Sequence, residues 1–258
     1  MSRLPLTFAC EGCTLGATLD TAPGATGLLI VSGGNEVRAG AFSGQAALAE
    51  RVARRGFPVF RFDRRGIGDS EGDNGGFRKS RKDIVAALDA FRALAPQMNR
   101  VVGLGNCDAA SALMLAGGAG CDALVLSNPW TIEGDGDDAA PPAAIRSRYA
   151  EKLKNPKEIA RLVTGGVNLG KLARGIAKAA RPRSAPGSLA QEMSAGLARF
   201  DGPVRIVLAE ADRTAQVFSA GWDSADARVH RCPGATHAYV EPGARDWLYD
   251  QILAALRG

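Results

Sequence analysis

No stretch of the 258-residue chain approaches the ~18 uninterrupted apolar residues that a spanning helix needs, and the opening Met1-Ser2-Arg3-Leu4-Pro5-Leu6 carries no leader-like apolar core. A soluble, cytoplasmic protein is therefore expected, rather than a membrane-spanning or secreted one. Histidine is scarce: His230 and His237 are the whole supply of imidazole bases. Cysteine is odd in number, at five, which excludes complete disulfide pairing and favours reduced thiols. Cys10 and Cys13 form a C-x-x-C pair, but no second pair and no nearby His completes a zinc set, so neither a metal nor a cofactor is expected. No internal repeat is visible.

What is present is the composition of an ordinary globular domain. Hydrophobic residues make up 46% and charged residues 23%, enough to build a sizeable core. The formal net charge is +5, yet residues 145–185 alone hold eleven basic residues against two acidic ones. A field of that sign suits an anionic substrate, an acidic partner or an anionic surface, and equally a solvated helical face. Aromatics are not interleaved with these basic residues, which argues against nucleic acid.

Apolar runs bounded by turn residues recur at 27–31, 59–62, 101–104, 123–127, 204–209 and 228–232, with helical stretches between them. That alternation predicts a mostly parallel central sheet covered by flanking helices, an α/β architecture. A hairpin is expected over 7–20, turning at Glu11 and Gly12. The clearest helix is expected over 78–94, where Ile84, Val85, Leu88 and Phe91 fall on one face. The interval 131–200 is too long for a simple connection, so it reads as an inserted helical cap, leaving 1–130 and 201–258 as the core.

The chemistry gathers after the strand at 101–104. Gly105-Asn106-Cys107-Asp108-Ala109 runs from strand to helix with small flanking residues, the context of a nucleophile elbow carrying Cys where Ser is usual. A buried structural Cys is the competing reading of that motif by itself. Downstream, Asp212 follows the strand at 204–209, and His237 lies in the loop beyond the strand at 228–232; the order nucleophile, acid, histidine is that of α/β-hydrolases. His237 would act as base and Asp212 would orient it, although Asp212 could instead pair with Arg213 or cap the next helix, with Glu210 as the alternative acid. His230, inside a strand, is expected to be structural. The oxyanion donors would be the Asp108 amide and an amide from Ser32-Gly33-Gly34-Asn35, with Gly34 and Asn35 equally placed. Arg38 would meet a substrate anion or brace that loop, and Trp130 would line the substrate site. The run Arg61-Phe62-Asp63-Arg64-Arg65-Gly66 lacks the ending of a phosphate loop and reads as a braced turn.

Four segments together carry a family resemblance: Ser32-Gly33-Gly34 through Arg38-Ala39-Gly40, Arg61-Phe62-Asp63 to Asp69-Ser70-Glu71-Gly72, Asn106-Cys107-Asp108-Ala109-Ala110-Ser111-Ala112, and Ser127-Asn128-Pro129-Trp130. They resemble the α/β-hydrolases associated with the exosortase A system, first type, over most of the chain. The resemblance implies an α/β-hydrolase fold and an exopolysaccharide and protein-export context, without naming a substrate. From the residues, the expected activity is hydrolysis of an acyl thioester or ester by a Cys-His-Asp triad, with coenzyme A- and acyl-carrier-linked acyl groups among the expected substrates. An acyltransferase using the same site, and a non-catalytic binding protein on a hydrolase fold, are the alternatives.

Overall fold

In the computed structural model, which describes residues 1–132 and 188–258, eight strands form one sheet. They are β1 (Arg3–Cys10), β2 (Cys13–Asp20), β3 (Thr26–Val31), β4 (Val59–Phe62), β5 (Arg100–Asn106), β6 (Ala123–Ser127), β7 (Val204–Ala209) and β8 (Val229–Cys232), in spatial order β1-β2-β4-β3-β5-β6-β7-β8. β1 and β2 are antiparallel to each other, and β2 is antiparallel to β4; every other pairing is parallel.

The hairpin closes with Glu11 and Gly12 both at positive φ, which matches the right-handed twist of its strands and sets Cys10 opposite Cys13. The inner strands β3, β5 and β6 are buried on both faces, so their sequences read as continuous apolar runs. Successive side chains alternate between two cores. Leu29 and Val31 point to the face covered by α2 (Arg81–Leu94), α3 (Asp108–Leu115) and α4 (Ser188–Leu197); Leu28 and Ile30 point to α1 (Gly44–Ala53) and α6 (Ala244–Arg257). α2 holds its apolar stripe as read from the sequence. Ile84, Leu88 and Phe91 are buried, and Phe91 stacks on Phe60 with ring centroids 5.4 Å apart.

α2 begins at Arg81, because Phe77–Lys79 forms a separate short 3-10 turn. Most of the interval expected as a cap, and the whole of its basic segment, falls on residues 133–187, outside the described residues. α4, at the end of that interval, sends Leu189, Met193 and Leu197 into the main core. None of the described helices is long and apolar enough to cross a membrane.

This topology positions a site. The chain leaves β3 towards β4 on one side and returns to β5 on the other, so the loops after β3 and β5 diverge above neighbouring strands and leave a crevice at their carboxyl ends.

Candidate active site

Cys107 joins β5 to α3 at φ 61 and ψ −127. A side chain is rarely found in that region, and holding one there costs about 1–3 kcal/mol. The surroundings impose it. The Cys107 amide donates to the Ser127 carbonyl at 2.9 Å, and its carbonyl accepts from the amides of Ser111 and Trp130, each at 3.3 Å. Glycine is required on both flanks: a Cβ at Gly105 would lie 2.6 Å from the backbone of Ala109 and Ala110, and one at Gly33 would lie 2.6 Å from the Asn106 carbonyl. The bend leaves Cys107 half-buried, ahead of the free amides of α3.

Asp212 and His237 arrive from separate loops, after β7 and after β8. His237 Nδ1 lies 3.0 Å from Asp212 Oδ2. Asp212 also caps α5 (Arg213–Gly221), accepting from the Ala215 amide at 3.1 Å, so one carboxylate serves both as helix cap and as imidazole partner. Its side chain is 9% exposed against 40% for His237, which faces the crevice. Hydrogen bonding to Asp212 and then to Cys107 pushes the pKa of His237 up to about 10. The three side chains singled out from sequence therefore meet at one point. His230 does not join them: its Nε2 lies 3.4 Å from Arg205 on the sheet, and burial followed by the Arg205 charge lowers its pKa.

The loop after β3 turns at Gly33–Glu36, where the Glu36 amide donates to the Gly33 carbonyl at 3.0 Å. Within that turn the Gly34 amide donates to Asp108 Oδ1 at 2.6 Å. Arg64, buried, donates to the Gly34 carbonyl at 2.5 Å, to Ser80 Oγ at 3.0 Å and to Asp108 Oδ2 at 3.5 Å. Asn35 is tied through its side chain to Asn74 at 3.0 Å. The guanidinium of Arg38 is held by Asp63, by Asp69 at 2.7 Å and by Thr18 at 3.1 Å, so it braces the loop. Trp130 sits against the elbow, its amide and carbonyl both bonded to Ser111 Oγ at 2.8 Å.

Three residues beneath the site were given no role by sequence reasoning. Asn128, fully buried at φ 44, accepts from the Ala209 amide at 2.8 Å and donates to the His237 carbonyl at 3.3 Å and to Asn106 Oδ1 at 3.2 Å. Asn106 Nδ2 in turn faces His237 Nε2 at 3.4 Å. Tyr239 receives the Ser127 hydroxyl at 3.2 Å and donates to the Val207 carbonyl at 3.3 Å, and burial pushes its pKa up. The one local signal for Asn128 was an Asn, a residue tolerated in the left-handed conformation it adopts, directly after a buried apolar strand.

The remaining thiols lie away from this point. Cys10, Cys121 and Cys232 are buried, and Cys13 is half-buried beside the hairpin turn. Burial pushes the Cys121 thiol up to about 12 and, with neighbouring carboxylates, raises Cys10 and Cys232. Among the described residues no group of three or more His, Cys, Asp or Glu side chains is gathered to hold a metal ion.

Several solved structures share the arrangement of strands and helices. The alpha/beta hydrolase GrgF from Penicillium sp. sh18 superposes with a TM-score of 0.65 at 16% identity, covering 100% of both chains. The esterase Pf2001 from Pyrococcus furiosus gives 0.63 at 14% identity, over 99% of this chain and 90% of that one. Est1E from Butyrivibrio proteoclasticus, solved with ferulic acid bound, gives 0.58 at 16% identity over 98% and 100%. At these identities the likeness establishes the fold. No curated protein matches the sequence. The family model described as the alpha/beta hydrolase family, however, matches residues 28–251, from the third residue of β3 through most of α6 and so across the elbow and the loops of Asp212 and His237 alike. With that span and this sheet, the chain belongs to the alpha/beta hydrolase family.

Proposed function

We propose that this protein is a cysteine hydrolase of acyl esters or thioesters. The observation that carries the reading is the position of His237, bonded to Asp212 through Nδ1 and near enough to Cys107 for that thiol to raise its pKa, with Cys107 held at a strained elbow. Cys107 Sγ attacks the acyl carbonyl while His237 takes the thiol proton, and His237 returns that proton to the departing alkoxide or thiolate. Water, deprotonated by the same imidazole, then cleaves the acyl-cysteine and releases the free acid. The Asp108 amide would be one oxyanion donor. Because the Gly34 amide is already engaged by Asp108, Asn35 is the better second donor.

A thioester is favoured as substrate because acyl-cysteine lies close to it in energy, so neither step is steeply uphill. The excess positive charge of residues 145–185 supports an anionic carrier such as coenzyme A or an acyl-carrier protein. Esterase activity in structural neighbours is compatible with the ester alternative. A cytoplasmic setting and the exosortase-associated context rest on the sequence and its resemblance.

The test is incubation of purified protein with acetyl-coenzyme A and with p-nitrophenyl acetate, following release of the leaving group and the intact mass. An acetyl adduct on Cys107 and loss of turnover in Cys107→Ala are expected. Turnover that survives Cys107→Ala removes the reading.

A further inference from the structure

The amide of Asn106, the residue before the elbow cysteine, faces His237 Nε2, the ring nitrogen left over once Nδ1 meets Asp212. Which end of that amide does so is fixed by a chain of bonds that starts at the backbone. The Ala209 N–H can only donate, so the Asn128 atom 2.8 Å from it is the oxygen. The NH2 of Asn128 then points the other way, where it meets the His237 carbonyl at 3.3 Å, a group that can only accept. The same NH2 donates to Asn106 at 3.2 Å, which commits the Asn106 oxygen. Asn106 is left to present its own NH2 to Nε2.

An NH2 group has donors and no usable lone pair, so this contact is attractive while Nε2 is bare and repulsive once Nε2 carries a proton. We propose that Asn106 is a positioning residue that opposes protonation of Nε2 and so works against the imidazolium form of His237. The proposal rests on His237 being the base described above. It sets Asn106 against the two titratable groups that act on the ring, Asp212 from the loop after β7 and Cys107 from the elbow, both of which favour the charged form. Tyr239, packed below, reaches the ring only through its 3.4 Å bond to Asn128.

The consequence for turnover is direct. A ring that held its proton too firmly would accept it from Cys107 and fail to hand it to the leaving group; the opposing amide keeps that second transfer accessible. The same bonds select the tautomer with hydrogen on Nδ1, donated to Asp212.

The chain has two histidines, so protein labelled with 15N-histidine gives two imidazole spectra, and His230→Gln assigns them. In the wild type the neutral His237 ring should carry its proton on Nδ1. Asn106→Ala should raise the pH at which His237 loses its charge by about one unit. Asn106→Asp should raise it further, because a carboxylate of the same shape still accepts from Asn128 and now also accepts from Nε2–H. A purely steric role predicts the opposite ranking, with the isosteric Asp variant titrating like the wild type. That result, a downward shift in either variant, or a neutral wild-type ring protonated on Nε2 overturns the proposal. The readout needs no turnover: titrations that shift as stated while Cys107→Ala remains active would sink the catalytic reading alone.

Discussion

The Asp108 carboxylate takes the Gly34 amide at 2.6 Å, so the residue directly after the elbow cysteine pins the loop that faces it across the crevice. Arg64 closes the arrangement by gripping the Gly34 carbonyl and approaching the same carboxylate. Asp108→Ala therefore strips an acceptor from Gly34 and a counter-charge from a buried guanidinium. A loss of about 2 kcal/mol is expected, an unsatisfied group and a weakened ion pair together. For a domain of this size that lowers Tm by about 4–8 °C. Asp108→Asn keeps an oxygen for Gly34 and should lose less; equal melting temperatures for Asp108→Ala and wild type would show that the clamp carries no weight.

Replacing Asp212 with Asn tests the imidazole pair through pH. The helix cap to Ala215 survives this change, since Asn caps as well as Asp, and the charge opposite His237 is lost. The folded pKa of His237 is raised from 6.5 to about 10, so the stability this pair contributes is fully present below about pH 6.5 and disappears as pH rises towards 10. Thermal unfolding across that interval should show the wild type furthest above Asp212→Asn at the acid end, with the two curves converging at the alkaline end. A gap that grows with pH would contradict the assignment.

Asp63 is the most committed carboxylate of the loop region. It is fully buried, accepts from the Arg38 amide at 2.5 Å and the Asp69 amide at 3.1 Å, and pairs with the Arg38 guanidinium. Asp63→Ala should cost about 3–5 kcal/mol in urea unfolding, because the largely buried Arg38 is left with only the exposed Asp69 as charge partner and two loop amides lose their acceptor. Arg38→Ala in the same background should add less than it does alone, and strict additivity of the two losses would mean that the pair does not act as a unit.

Much of this was legible from local pattern. The runs at 59–62, 123–127 and 204–209 coincide with β4, β6 and β7, since inner parallel strands must be apolar on both faces and stand out in any window. Cys107, Asp212 and His237 were legible as candidates for a related reason: each lies just past the carboxyl end of a strand. The partners of those residues were not. Asn106, Asn128 and Tyr239 meet through bonds spanning 22 to 131 positions along the chain, and nothing within a window of one element records such contacts. The role of Arg38 was open in sequence between anchor and brace, because its partners Asp63, Asp69 and Thr18 come from distant parts of the chain. Nor does any residue of the hairpin announce that β2 will lie against β4, because a strand's edge partner is chosen by long-range packing.

The seclusion of three of the five sulfurs has a practical corollary. An electrophile arriving from solvent finds Cys10, Cys121 and Cys232 walled off and holding their hydrogens, leaving Cys13 and Cys107 to compete for it. The chain thereby filters covalent reagents by itself, and with Cys13→Ser in place a single tag from a chloroacetamide library would report on the crevice with no background to subtract.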